Sequence, residues 1–166
     1  MRRGLCLAVW LFAGVLGAQS TDGMFASGAV AGVLDAFHAA AAAANEDKYF
    51  SLLTSDAVFL GTDPTERWTR EEFRKWAHPH FASGKGWTYR AKARWISFSP
   101  DRRVSWFDET LANASLGTCR GSGVLVLQPD GSWKIAQYNL SIPIPNALTD
   151  EIVGRIAAGA PPKEKK

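Results

Sequence analysis

The spacing of apolar residues along the chain changes near its middle, from a helical period to a strand-like alternation. Four apolar side chains recur at helical intervals between residues 28 and 44, which predicts a helix with one apolar stripe. These residues are Val30, Leu34, Phe37 and Ala41. The first helix is therefore expected to pack through this stripe against the rest of the fold.

Local sequence signals predict two further helices before the middle of the chain. Asn45 precedes two acidic residues and can cap a short helix over residues 46–53. Thr69 and Glu72 have the spacing of a capping box, which predicts the start of a third helix. Pro79 predicts that this helix ends or kinks near His78. An apolar run at 57–60, closed by a glycine, indicates a short strand between the two helices.

After Gly84 apolar and polar residues alternate, which is typical of a strand with one solvated face. The apolar positions are Trp87, Tyr89, Ala91, Ala93 and Trp95, and one threonine and three basic residues stand between them. Further strands are predicted over 104–113, 118–128 and 133–142, with a turn at 129–132. Helices followed by long antiparallel strands predict an α+β fold, with helices packed in a strongly curved antiparallel sheet.

The N-terminus has the pattern of a secretory signal peptide. Arg2 and Arg3 precede an apolar run that ends in small residues at Ala18. We therefore expect residues 1–18 to be a signal peptide and the protein to be secreted or periplasmic; an uncleaved membrane anchor is the alternative. Residues 19–27 are interpreted as a linker, and 147–166 as a C-terminal helix and charged tail. Removal of the signal leaves Cys119 as the only thiol, so no intramolecular disulfide is expected.

Composition limits the classes of partner. The chain has 166 residues, the size of one domain, with 46% hydrophobic and 21% charged residues. A net charge of +3 is too weak to indicate a nucleic-acid partner. No membrane contact is expected after signal cleavage. His78 and His80 are too close together for a helical metal pair, so no metal site is expected. No cofactor is expected either.

Several strings resemble the SnoaL-like branch of the nuclear transport factor two-like superfamily over residues 28–146. They lie at residues 59–68, 106–109, 119–125 and 133–140. The resemblance implies a cone, in which a bent sheet wraps around helices and leaves one pocket at its open end, often in a dimer. It also implies that Asp63, Glu66 and Trp68 lie near the pocket rim. Members include isomerases, cyclases, dehydratases and binding domains, so the fold does not fix the chemistry.

A hairpin at residues 101–102 would pair Arg94 with Glu109 and Trp95 with Asp108. Because basic residues mark the solvated face, the Arg94–Glu109 pair is expected to be a surface ion pair. Asp108 is then expected on the apolar face. There it is either a general base or ligand anchor, or a structural carboxylate bonded to backbone. A phase shift at residues 96 and 98 signals a bulge that would change this count.

Tyr138 is the second candidate for catalysis. With a four-residue loop at 114–117, Asp108, Gly123 and Tyr138 would lie in one row across three strands. A carboxylate and a phenol in an apolar pocket could move a proton and stabilise an oxyanion; core packing is the alternative for Tyr138. A loop one residue longer or shorter would put Arg120 on the Asp108 face, as a salt-bridge partner or an anion clamp.

Three functional hypotheses follow. The first is a secreted domain that binds a small, largely apolar molecule in its cone pocket. The second is an isomerase- or dehydratase-type enzyme that uses Asp108 as general base with Tyr138. The third is a protein-interaction module of the envelope. The residues expected to bind a ligand are Trp68, Tyr89, Trp95, Trp106, Arg120 and His38, with a satisfied structural histidine as the alternative for His38.

The last two strands carry apolar residues on both faces, including Val124 and Val126 on one side and Leu125 and Leu127 on the other. A sheet with one wet face would not have this pattern. We therefore expect a homodimer through the sheet. The alternative is that the C-terminal segment folds back over this face.

Overall fold

The structure is a computed structural model that describes residues 21–159, with side chains from residue 26 onward. Three helices and two strands make up the first half, and four long strands follow. In chain order the elements are α1 (Thr21–Ala42), α2 (Glu46–Ser51), β1 (Leu53–Leu60), β2 (Arg67–Thr69), α3 (Arg70–Ala82), β3 (Arg90–Phe98), β4 (Val104–Asn113), β5 (Gly117–Leu127), β6 (Trp133–Ser141) and α4 (Thr149–Ala157). A single 3₁₀ turn at Asn146–Leu148 precedes α4.

The six strands form one sheet in the order β2-β1-β6-β5-β4-β3. All neighbouring pairs are antiparallel except β1 and β6, which run parallel. The edge strands β2 and β3 do not pair with each other, so the sheet stays open. The α1, α2 and α3 helices contact the sheet and enclose the core. The predicted α+β class is confirmed.

The local helix signals are confirmed in part. The Asn45 side chain accepts a hydrogen bond from the Lys48 backbone N–H, and the Thr69–Glu72 capping box is formed. Pro79, however, lies inside α3, which continues to Ala82. The predicted end near His78 is wrong, because the last turn is held by Phe81, whose buried ring packs against Trp87.

The α1 helix is longer than its pattern predicted. It begins at Thr21, so most of the range interpreted as a linker is helical. All four residues of the predicted stripe are buried in the core. The predicted signal peptide and the end of the charged tail lie outside the described residues. In the part of the chain that the structure describes, no helix is long and apolar enough to cross a membrane.

A bulge in β3 decides which residues face the helices. Ala91 pairs with Leu111 and Ala93 pairs with Thr110, so Lys92 is an extra residue in the strand. One extra residue moves every later side chain to the opposite face. As a result Arg94 points toward the helices, and Trp95 lies on the other side, which we call the outer face of the sheet.

The strand registers are close to those expected. Arg94 pairs with Glu109, Trp95 with Asp108, and Gly123 with Tyr138, as predicted. The loop after β4 is shorter than the four residues assumed, because Asn113 pairs with Gly117. Asp108 therefore lies opposite Ser122 and not opposite Gly123. The predicted row of Asp108, Gly123 and Tyr138 is wrong.

Candidate functional site

A carboxylate is completely buried between the sheet and α1. The Glu109 side chain has no exposed surface and receives hydrogen bonds from three side chains. His38 Nε2 lies 2.7 Å from Oε1, the Tyr138 hydroxyl donates to the same oxygen at 3.1 Å, and Arg94 Nε donates to Oε2 at 2.8 Å. We call these four residues the buried cluster. Every member has a hydrogen-bond partner within it, as a buried charge requires.

The α1 helix contributes a partner to Glu109 and a partner to Arg94. It carries His38 and also Asp35, whose carboxylate accepts a hydrogen bond from Arg94 Nη1 at 2.8 Å. The same nitrogen donates to the Ala31 carbonyl at 3.2 Å. Arg94 is therefore fixed between two carboxylates, and its guanidinium charge neutralises Glu109 from the side opposite His38.

A glycine makes room for the cluster. A Cβ at Gly121 would collide with the Tyr138 hydroxyl and with Glu109 Oε1. Gly121 lies on β5 between these two side chains, opposite Glu109 on one side and Leu140 on the other. Only a residue without a side chain lets the phenol and the carboxylate meet here.

The surroundings shift the pKa values of both acids in opposite directions. Burial alone would raise the pKa of Glu109, but the hydrogen bond from His38, together with the hydrogen bond and charge of Arg94, holds it below its ordinary value of 4.5. Burial, reinforced by the charge of Glu109, raises the pKa of Tyr138 well above its ordinary value. Glu109 is therefore a carboxylate that accepts hydrogen bonds, and Tyr138 is a neutral phenol that donates one.

Next to the buried cluster lies a cavity of about 260 Å³, which we call the cone pocket. His38 and Tyr138 belong to its lining, whereas Glu109 lies behind them. Most of the remaining wall is aromatic. The aromatic hydrocarbon and indole side chains in it are Phe37, Phe59, Trp68, Phe73, Trp76 and Trp87. The geometry thus places one histidine, held by a buried carboxylate, in the wall of an otherwise largely apolar cavity.

The structure brings half of the predicted site residues to this cavity. His38, Trp68, Tyr89 and Tyr138 line it. The desolvation of Tyr89 raises the pKa of its phenol to about 12, so this hydroxyl is also neutral.

The other predicted site residues lie on the outer face of the sheet. Asp108 and Arg120 are exposed, and Trp95 and Trp106 are 58% and 49% exposed. The prediction that Asp108 faces the pocket is wrong, and so are the predictions that Trp95, Trp106 and Arg120 bind a ligand there. The shorter loop does put Arg120 on the same face as Asp108, as the alternative predicted. The cause of the wrong assignments is the bulge at Lys92. Before the bulge the odd-numbered positions of β3 face the helices, whereas after it the even-numbered positions do, so an uninterrupted alternation assigns Trp95 and its neighbours to the wrong face.

Glu109 is the functional candidate that the sequence pattern placed in the wrong environment. Its pairing with Arg94 was predicted, but as a surface ion pair. A signal for the buried position did exist. Ile96 and Phe98 alternate in phase with Arg94, and both pack against the core, so this phase marks the inner face after the bulge.

The other chemically reactive residues within the described part of the chain form no buried site of this kind. Cys119 is buried, and burial raises the pKa of its thiol. His78 and His80 are exposed on α3. Among residues 21–159 no group of three or more potential metal ligands comes together.

Comparison with known proteins identifies the family. Residues 30–145 match the model of the SnoaL-like domain, so the chain belongs to the SnoaL-like domain family. This is the family that its sequence resembles. No curated protein sequence matches the chain.

Solved structures share the fold at low sequence identity. A candidate scytalone dehydratase from Novosphingobium aromaticivorans is 12% identical with a TM-score of 0.61, over 73% of this chain and 86% of that one. A candidate ketosteroid isomerase from Shewanella frigidimarina is 20% identical with a TM-score of 0.54, over 70% and 97%. A cystatin-like domain of unknown function from Nostoc punctiforme is 10% identical with a TM-score of 0.66, over 80% and 86%. These similarities establish the cone fold.

Proposed function

We propose that this protein binds a small, largely apolar molecule in the cone pocket. One observation carries the proposal: a cavity of about 260 Å³ has a mainly aromatic wall and contains a single histidine that is anchored from behind. Apolar cavities with few, well-placed polar groups are the usual form of small-molecule sites. The aromatic rings provide the apolar contact area, and His38 gives the ligand an orientation.

The hydrogen bond from His38 to Glu109 determines what His38 offers to a ligand. Because Glu109 is a carboxylate, it only accepts, and His38 Nε2 must carry the proton between them. In neutral imidazole the second ring nitrogen, Nδ1, is then an acceptor. Nδ1 has no hydrogen-bond partner in the described part of the chain. We therefore expect a ligand whose polar group can donate a hydrogen bond.

Binding can be tested with 2-naphthylmethanol, a flat and neutral probe, by calorimetry and saturation-transfer NMR. Leu116 lines the cavity and is partly exposed, so Leu116→Trp should narrow the pocket without disturbing the core. Leu148→Trp is the matched control, because Leu148 is similarly exposed but lies outside the lining. Loss of binding in the first variant alone supports the proposal. Binding that both variants retain equally would place the probe elsewhere.

A second candidate function is an isomerase- or dehydratase-type reaction, with His38 as the general base. The observation that favours it is the His38–Glu109 contact of 2.7 Å, in which a buried carboxylate fixes the orientation of the ring. Tyr138 donates to the same carboxylate, so we assign it to positioning. His38 thus takes the role of general base that was predicted for Asp108, because Asp108 lies on the outer face of the sheet, away from the pocket.

The ability of His38 to remove a proton can be tested before any substrate is known. The probe is 2-tetralone, a flat ketone with acidic α-hydrogens, and NMR in D₂O follows their exchange for deuterium. The wild type should accelerate this exchange and His38→Gln should abolish the acceleration, whereas His78→Gln should retain it. His78 is the matched control because it contacts a glutamate at the same distance on the surface. Exchange at the buffer rate in the wild type would refute the catalytic function but not binding.

We further propose that a second copy of the chain covers the outer face of the sheet. Trp95 and Trp106 expose about half of their surface there, and Asp108 and Arg120 offer opposite charges to a symmetry-related copy. The C-terminal alternative is less favourable, because α4 buries none of its residues. Light scattering should give a dimer mass, and Trp106→Glu should give a monomer. A wild-type monomer would contradict the dimer and favour a different envelope partner for this face.

We also propose that the protein is exported and that its N-terminal segment is cleaved as a signal peptide. We infer it from the basic and apolar pattern of residues 1–18. N-terminal sequencing of the protein from the exporting host should begin near Gln19. A first residue at Met1 would contradict cleavage.

A further inference from the structure

We propose that the cone pocket selects ligands that carry a positive charge, namely compact amines with a flat apolar body. The proposal rests on the proposed binding function and names the class of ligand for that site. The ammonium group would lie at the pocket rim between Glu66 and Trp76, and the apolar body would lie against the aromatic wall.

The charges around the pocket favour a cation. Glu66 is the one acidic side chain in the described lining, and this lining contains no lysine or arginine. Arg94 is already shared by Glu109 and Asp35 and is not part of the lining. His38, the one basic side chain of the described lining, is held by Glu109 through Nε2. Beside Glu66 a ligand carboxylate would therefore meet a like charge, whereas an ammonium group would meet its opposite charge.

The turn between β1 and β2 holds the Glu66 carboxylate beside the cavity. The Gly61 N–H donates to the Glu66 carbonyl at 2.8 Å, and the Asp63 N–H donates to Glu66 Oε2 at 3.2 Å. A Cβ at residue 61 would collide with this carboxylate, so Gly61 lets the side chain fold back over the backbone. Oε1 has no partner in the described part of the chain. It remains free to accept a hydrogen bond from a ligand.

Indole rings line the same cavity as Glu66. Trp76 lines the cavity and is 46% exposed, and its ring stacks on Trp68 with a centroid separation of 5.3 Å. The ring centroid of Trp87 lies 6.0 Å from that of Trp76. The faces of tryptophan rings carry the most favourable potential for cations among aromatic side chains. A carboxylate and an indole therefore act on a ligand in the same sense, both favouring an ammonium group.

Three probes of nearly equal shape separate charge from apolar contact: 2-naphthylmethylamine, 2-naphthylmethanol and 2-naphthoate. Calorimetry at neutral pH should show that the amine binds about five- to ten-fold more tightly than the alcohol, and that the carboxylate binds weakest. Glu66→Gln should remove most of the preference for the amine over the alcohol. A circular dichroism spectrum and an unfolding midpoint close to those of the wild type would show that the variant has kept its fold.

Two further variants make the test specific. Glu71→Gln removes the same charge from α3, outside the lining, and should keep the preference for the amine. Trp76→Leu should weaken the amine more than the alcohol. The proposal is overturned if the amine binds no more tightly than the alcohol, or if Glu71→Gln lowers the preference as much as Glu66→Gln. If none of the three probes binds, the proposed binding function fails with it.

Discussion

The molecule contains two histidine–glutamate pairs with the same nitrogen–oxygen distance, one in the interior and one at the surface. His38 contacts Glu109 and His78 contacts Glu46, each at 2.7 Å, and an arginine completes each group. The side chains of the first pair are 10% and 0% exposed, whereas those of the second are 64% and 17% exposed. The hydrogen-bond distance therefore does not distinguish them, and only their access to water does.

This difference decides what each pair contributes. On the surface, water competes for both partners and salt screens their charges, so such pairs are worth little. In the interior, the loss of one partner leaves the other charge without compensation. The buried pair also has one partner in the wall of the cone pocket, so its geometry can act on a ligand.

The largest contrast is expected from removing each glutamate. Glu109→Gln leaves Arg94 buried with less compensation, and should lower the free energy of unfolding by about 3–5 kcal/mol. Glu46→Gln should lower it by about 1 kcal/mol or less. Urea denaturation of the two variants measures both values. Equal losses would mean that burial does not separate the pairs.

The second donor to Glu109 gives the next largest effect. Tyr138→Phe removes the hydroxyl that lies 3.1 Å from Oε1, and should cost about 2 kcal/mol of stability because a charged acceptor loses a buried donor. Tyr89→Phe serves as its control, since no hydrogen bond of the Tyr89 hydroxyl is formed with described side chains. Thermal and urea unfolding should show a loss in the first variant only. If Tyr138→Phe did not change the stability, the hydrogen bonds from His38 and Arg94 would be enough to stabilise the Glu109 carboxylate.

The dependence of stability on pH sharpens the same comparison. The folded-state pKa of Glu109 is lowered below 4.5, so its contribution is complete above that value and is lost as the pH falls through the folded pKa. Below about pH 4.5, acidification should therefore reduce the difference in the free energy of unfolding between the wild type and Glu109→Gln. Urea titrations across this range measure it. A gap that stays constant would contradict a carboxylate stabilised in its charged form.

Salt should produce the smallest effect, and only at the surface. In about 1 M NaCl the screening length falls to about 3 Å, which weakens exposed charge pairs. The stability difference between the wild type and Glu46→Gln should shrink toward zero, whereas that of Glu109→Gln should change little. A salt response of the same size in both variants would indicate that water reaches the buried cluster.

Much of the fold could be predicted from local residues. Asn45 and Thr69 mark helix starts because their side chains bond backbone groups within the next few residues. The pairings of Arg94 with Glu109 and of Gly123 with Tyr138 were correct. A four-residue turn at 129–132 would pair Gln128 with Trp133, and so Gly123 with Tyr138. The structure pairs Leu127 with Trp133 instead, and an irregularity between Val124 and Leu125 restores the Gly123–Tyr138 register.

The sequence by itself determined the helix caps, the alternation of the strands and the membership of the SnoaL-like family, because each depends on neighbours in the chain or on strings of residues. Only the tertiary structure decided which carboxylate is buried. The extra residue at Lys92 turns Arg94 toward α1, where His38 and Asp35 arrive from far along the chain. A period-two pattern cannot show this, because a single inserted residue exchanges the two faces of a strand without changing the alternation on either side of it.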